Sequence, residues 1–378
     1  MRAGVKDLGA RNLMNKFYKL EKFDKIIKKF MLIFLVLTVT AAGFNGFFLK
    51  WTLRDGDPNF GLEAYMEGTA KRPFAHRVLI PNLAKAVVEV IPTNAREKLS
   101  KRLIERREIE KKYSQAIVPP KYVLEYYLVV IFAFLSLFAS VWVLRSILSE
   151  VTGDKVVGTL TACLFALIIP YIEVLGGYFY DFPEFLAFFL AVRFALSGNL
   201  IAILILTPIA ELNKETFFFF IPALFPFVRR KLDFKKSAAY ILGAMFVAGV
   251  TYLLVLSRFA ENQGDMADWR IIDHAQDFFR IGSYFITDSI YGLPLPSRMF
   301  FLHIIYVVWI TKTSWKFLND DWKLHIKIAA VINGALYFMF VLPGELRDLG
   351  LLFMSLMILT AYFIRDIIHR NYQLEDAK

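Results

Sequence analysis

Apolar residues along the chain fall in runs of about twenty, enough to cross roughly 30 Å of hydrocarbon at about 1.5 Å per helical residue, and charged stretches separate them. The clear runs are 30–49, 122–145, 156–175, 237–257, 324–343 and 349–367; shorter ones lie at 182–196, 200–210, 217–228 and 298–311. This pattern predicts an all-α, polytopic membrane helical bundle of about ten membrane segments, some short or broken. Its organisation reads as a basic segment 1–29, a first transmembrane helix 30–49, a long loop 50–121 with amphipathic helices, a multi-pass domain 122–368 and a tail 369–378.

Composition sharpens that picture. The chain is 57% hydrophobic with 38 phenylalanines and only 21% charged, more apolar side chain than a water-soluble core of ordinary proportions hides. A net charge of +11 on a soluble protein would suggest nucleic acid. Here the tail 1–29 holds nine Lys/Arg against three acids, the signature of a cytoplasmic membrane flank, so no nucleic-acid partner is expected. The first apolar run follows a long basic segment and ends in "AAGFNGFFLK", a poor cleavage site, so a retained signal anchor is expected. The single cysteine, Cys163, allows no intrachain disulfide and excludes a multi-cysteine metal site. No repeat, glycine-rich phosphate loop, dinucleotide fingerprint or zinc spacing occurs.

Parity then assigns sides. With 1–29 cytoplasmic, loop 50–121 begins outside, "SEVTGDK" lies inside, "GGYFYDFPE" outside and "SGN" inside. The stretch 200–228 has two apolar limbs of about eleven residues, roughly 16 Å each as helix, around a polar turn; it predicts a broken or re-entrant hairpin whose centre faces a cavity. "RRKLDFKK" then falls inside, 258–297 and "GELRD" outside, and the C-terminal tail in the cytoplasm, with a bacterial plasma membrane as the setting. A competing topology makes 76–93 a span and moves the basic stretch 94–112 inside. The preferred reading is an amphipathic helix over 78–91 at the outer interface, a surface helix over 94–112 with a stripe of Leu99, Leu103, Ile104 and Ile109, and an exposed loop at 258–297 with a short amphipathic helix and a rigid "LPLP" turn.

The preferred topology gathers every polar motif on one side. Asp55 and Asp57 in "DGDPNF" follow the first span; two acids so close divide proton affinities or share a cation, whereas the plain alternative is a pair of solvated turn acids. "KRPFAHRVLIP" supplies Lys71, Arg72, His76 and Arg77, which either hold a phosphate or anchor to headgroups. His76 is a general-base candidate or simply a solvated interfacial histidine. "YDFPE" places Asp181 and Glu184 on one helical face at the start of a span, with an N-cap as the plain reading of Asp181. In "ELNKET", Glu211 and Glu215 are four apart with Lys214 between them and Asn213 alongside; they can pair internally as a purely structural ion pair, whereas the preferred reading has Lys214 meet an anionic ligand. Charge at membrane depth reads by default as a functional site. Glu345 and Arg347 complete the set, Arg347 as a second phosphate contact or as the partner of Glu345.

A signal-anchor span, a first external loop that opens with paired acids and carries amphipathic helices, and later spans with polar outer ends together resemble the GT-C superfamily of integral-membrane glycosyltransferases. "RPFAHRVLIP", "YDFPE" and "LNKET" look like motifs of GT-C-like bacterial proteins. The resemblance implies inverting transfer of a sugar from a polyprenyl-phosphate donor to a glycan, lipid or protein acceptor at the outer face. Asp57 or Asp55 would act as base, and Lys214 with Arg77 or Arg347 would stabilise the departing phosphate. A divalent metal, Mg or Mn, is optional. A polysaccharide polymerase or O-antigen ligase, and a lipid or anion transporter, are the alternative readings.

Overall fold

The computed structural model describes residues 3–375 except 55, 111–119 and 266, with side chains described over 23–369 except 55, 107–119 and 266. Among the described residues six helical stretches are long and apolar enough to cross a membrane: Phe23–Trp51, Pro120–Thr152, Lys155–Ile172, Phe234–Arg258, Asp320–Phe340 and Leu346–His369. The protein is therefore a mostly helical, multi-pass membrane protein. The first stretch belongs to a continuous helix α1 (Ala3–Trp51), so the basic tail expected as a separate segment joins the first span without a break.

In the long loop, α2 (Leu62–Glu67) precedes α3 (Leu79–Val90) and α4 (Thr93–Glu110). At twelve residues α3 reaches about 18 Å, well short of the hydrocarbon thickness, so the competing topology with a span at 76–93 finds no support. Its Ile80, Ala84 and Val88 are buried, while Leu83, Val87 and Val90 are exposed. Of the stripe predicted on α4, Leu103 and Ile104 pack on Val88, Val123 and Leu124, whereas Leu99 is exposed and the Ile109 side chain lies outside the described residues.

Next come α5 (Val123–Thr152), α6 (Lys155–Ile172) and α7 (Asp181–Ser197). Asp154 caps α6, its Oδ1 accepting from the Val156 and Val157 amides at 2.7 and 3.1 Å. Where α1 crosses α6, a Cβ at Gly43 would overlap the Ala166 carbonyl oxygen, so this crossing has no room for a side chain. The core is aromatic: Phe165 lies edge-on to Phe185 at 5.5 Å, and Phe188 packs on Phe220 at 4.5 Å.

The hairpin expected over 200–228 forms. Helix α8 (Leu200–Asn213), capped by Asn199, runs inward from one end; α9 (Thr216–Phe220), a 3₁₀ turn and α10 (Phe225–Val228) lead back. Both limbs begin and end together, since Gly198 lies against Lys231 and the Tyr240 hydroxyl donates to the Leu200 carbonyl at 2.6 Å. Fourteen residues bring the tip about 21 Å from that end.

The remainder comprises α11 (Phe234–Arg258), α12 (Ile271–Phe279), α13 (Phe301–Ser314), α14 (Asp320–Phe340) and α15 (Gly350–Glu375). Strands β1 (Thr287–Ile290) and β2 (Leu293–Pro296) pair antiparallel with Ile290 opposite Leu293. The "LPLP" expected as a rigid turn is thus a strand. The turn is Tyr291–Gly292, both at positive φ (53° and 78°), the geometry that matches strand twist in a two-residue hairpin.

Candidate functional site

At one end of the bundle five stretches distant in sequence meet: the turn after α1, the segment 71–78 before α3, the loop 173–181, the break between α8 and α9, and the turn 341–349. The break has a local cause. Lys214 takes an extended backbone (φ −162°, ψ 135°), which ends α8 and swings its side chain towards the first turn of α7. Asn213 fixes the arrangement by donating from Nδ2 to the Tyr180 carbonyl at 2.8 Å.

Lys214 Nζ lies 2.8 Å from Glu184 Oε2 and 3.2 Å from both Asp181 Oδ1 and Asp348 Oδ1. The alternative of internal pairing of Lys214 with Glu211 and Glu215 is therefore absent, because the helical register that would align them stops at Lys214. Glu215 instead takes Arg77 in a two-point contact, Nη2 to Oε1 at 2.9 Å and Nε to Oε2 at 3.4 Å. Glu211 Oε2 accepts from the Phe218 amide at 3.1 Å, and its Oε1 has no partner.

Arg347 stands on the 3₁₀ turn Leu346–Leu349. Its Nε lies 3.0 Å from Glu345 Oε1, its Nη1 3.3 Å from Asp181 Oδ2 and its Nη2 3.6 Å from Asp348 Oδ2. Glu345 is thus its partner, the second of the two roles expected. Asp181 is not an N-cap: Tyr180 holds that position without a side-chain bond, and Asp181 accepts from the Tyr178 amide at 3.1 Å while facing both cations. Glu184 also accepts from the Thr216 hydroxyl. Tyr178 and Tyr180 stack at 5.0 Å, with Arg347 over the first ring at 4.7 Å and Arg77 over the second at 4.4 Å; Arg77 Nη1 also donates to the Tyr180 hydroxyl.

Burial is graded across the network. The side chains of Asp181 (1% exposed), Lys214 (2%) and Glu184 (4%) are sealed, whereas Asp348 (18%) and Glu215 (25%) lie at the rim. Each cation so buried costs several kcal/mol to desolvate, roughly, which its carboxylates offset. Acids are in excess: Asp181, Glu184, Glu215, Glu345 and Asp348 meet only Arg77, Lys214 and Arg347. Glu173, which sequence reading did not single out, adds to that excess. It is fully buried just past α6, its two carboxylate oxygens have no hydrogen-bond partner, and Asp181, Arg347, Lys214 and Asp348 are its charged neighbours. The Trp51 indole donates to its backbone carbonyl at 2.5 Å. Asp348, inside the "GELRD" motif, was likewise not singled out.

The first-loop acids stand apart. Asp55 lies outside the described residues. Asp57 is half-buried and caps its own turn, Oδ1 accepting from the Asn59 and Phe60 amides at 2.8 and 3.3 Å. Its turn, rather than its carboxylate, reaches the network, with Phe60 edge-on to Tyr178 at 5.8 Å. Arg54 covers that tyrosine as well, its guanidinium 4.9 Å from the ring centre. His76, read from sequence as solvated or as a base, is buried against Tyr252 and Phe259 with neither ring nitrogen bonded. Burial holds its pKa below the ordinary histidine value, against the pull of Glu215.

Among the described residues no group of three or more His, Cys, Asp or Glu is arranged to hold a metal ion. Beside the network an apolar groove of about 500 Å³ opens between α3, α8 and α11, lined by Val78, Leu83, Leu212, Leu254 and Val255, with Arg258 among its few polar members. The Val78 amide donates to the Leu212 carbonyl at 3.0 Å, joining the groove wall to Arg77 and Lys214 by one residue in one strand of chain and two in the other. No family model, curated protein or solved structure matches the chain.

Proposed function

We propose that the protein is a GT-C-like membrane glycosyltransferase of about ten membrane segments, which moves a sugar from a polyprenyl-phosphate donor to an acceptor on the external face. The observation that carries the reading is the meeting of Arg77, Lys214 and Arg347, from three separate parts of the chain, beside an apolar groove of about 500 Å³. A prenyl chain suits that groove and a phosphate suits cations at its end. The cations are occupied in the free protein, so phosphate binding requires an exchange of partners. Glu215 and Asp348, at the rim, are the carboxylates free to swing away, while Asp181 and Glu184 keep Lys214 in place. Asp57, at the same end and outside the sealed network, acts as base towards an acceptor hydroxyl.

The excess of buried acid and the unpartnered Glu173 favour a second reading, a lipid or anion transporter in which a proton accompanies the cargo. One experiment separates the two. Protein reconstituted in liposomes is given a radiolabelled polyprenyl-phosphate sugar with candidate acceptors. Covalent transfer that Asp57→Asn abolishes supports the enzyme; movement of label across the bilayer with no covalent product rejects it.

A further inference from the structure

We propose that α12 and the hairpin β1–β2 form an interfacial membrane anchor whose outward face is immersed in the acyl region of the bilayer. The helix is amphipathic with its polarity inverted. The positions facing the protein are Asp273, His274 and Asp277, whereas Ile271, Ile272, Phe278 and Phe279 are exposed. In water a helix of this composition would turn the other way, because burying its isoleucines and phenylalanines would gain roughly 1.5–3 kcal/mol each.

The inward polar groups are fully engaged. The Arg270 amide donates to the Met339 carbonyl at 2.8 Å, and His274 Nε2 lies 3.1 and 2.9 Å from the Tyr337 and Val341 carbonyls. The Tyr337 carbonyl already accepts from the Val341 amide at 3.1 Å, but the Met339 and Val341 carbonyls, at the end of α14 and just past it, find their partners on α12, which serves as their cap. Asp277 accepts from the Ser283 hydroxyl, and Arg270 bonds Asp268 and Asp273. On the outer face Gln276 is the one exposed polar side chain of α12 itself, with Arg280 just past its end, among Ile271, Ile272, Phe278 and Phe279.

That face continues the exposed apolar surface of the neighbouring spans. Phe279 (81% exposed), Ile281 (77%) and Trp269 (70%) are bare, as is Phe338 (58%) on α14, which lines one cavity with Phe278; Phe285 just before the hairpin and Leu293 on it are exposed as well. Trp269 packs on Phe340 at 5.1 Å, which sets α12 at the level where α14 leaves the hydrocarbon. A cavity of about 540 Å³ between α12 and α14, lined by Ile271, Ala275, Phe278, Ile304 and Phe338 with His274 and Asp277 at its polar side, is of a size to take an acyl chain. Bilayer lipid is therefore the occupant of both face and cavity.

Spin labels test this in the full-length protein in phosphatidylcholine nanodiscs. Cys163→Ala removes the only native thiol, and single cysteines replace Phe279 on the face and Asp268 in the polar flank. The expected result is relaxation of the label at 279 by oxygen and protection from a water-soluble nickel chelate, with the reverse at 268. Nickel access at 279 equal to that at 268 would overturn the proposal. So would strong dipolar broadening between labels at 279 of two copies, which would mean that a second chain covers the face. If Phe279→Cys fails to fold, the same readout at Ile281→Cys decides.

Discussion

Lys214 and Asp348 are 134 residues apart in the chain and 3.2 Å apart in space. That contact joins the break in the α8–α9 hairpin to the start of the last span, and it closes a ring of charge around Lys214 that no single helix supplies.

Removing the lysine leaves Asp181, Glu184 and Asp348 facing one another without their shared cation. Lys214→Ala is expected to cost about 3–5 kcal/mol, the usual penalty for stranding buried charge. Thermal unfolding in detergent measures it. Adding Glu184→Gln, which removes one stranded charge, is expected to recover part of the loss; a further drop in Tm would show that the three acids do not act together.

Arg77 and Glu215 make a two-point pair that is only partly sealed. A double-mutant cycle with Arg77→Met and Glu215→Gln is expected to give a coupling of about 1–3 kcal/mol, within the range for contacting charged residues. A coupling near zero would mean that the Tyr180 contact alone holds Arg77.

The buried His76 makes stability depend on pH, and the sign follows from its lowered pKa. In the folded protein the ring is neutral at a pH where the unfolded chain, with an ordinary value of about 6.5, already binds a proton. Its contribution is therefore complete above about pH 6.5 and is lost as the pH falls through that value towards the folded pKa. The groups acting on it are Glu215, Arg77 and Arg72, with Tyr252 and Phe259 against the ring. Unfolding temperatures between about pH 8 and 5 are expected to fall less steeply in His76→Phe than in the parent.

Gly43 meets the Ala166 carbonyl with no space for a methyl group. Gly43→Val is expected to force α1 from α6 and lower the yield of monodisperse protein, since overpacking costs about 1–3 kcal/mol and a rigid backbone cannot yield as a side chain does. Gly243→Val, at a position with open space around it, is the control.

Much of the bundle was legible because its signals are local. Apolar run length found the six long helices, and parity together with half-length limbs found the hairpin at 200–228. Parity also gathered "RPFAHRV", "YDFPE", "ELNKET" and "GELRD", and Arg77, Asp181, Lys214 and Arg347 do meet. Pairing was not legible. The spacing of Glu211, Lys214 and Glu215 suggests one helix face only while the helix continues, and the extended backbone at Lys214 ends it for want of any visible breaker such as glycine. Glu173 escaped notice because one acid at the end of an apolar run looks like an ordinary boundary. For α12 the periodicity was visible, but an amphipathic pattern does not say which face turns inward; the free carbonyls at the end of α14 decide that.

The pair α1 and α6 is pegged twice, at Gly43 where backbones touch and at Trp51 where an indole grips the Glu173 carbonyl. Two rods fastened at both stations behave as one stave. The side of the charged network that bears Glu173 is accordingly braced, and the groups left to move are the rim carboxylates Glu215 and Asp348.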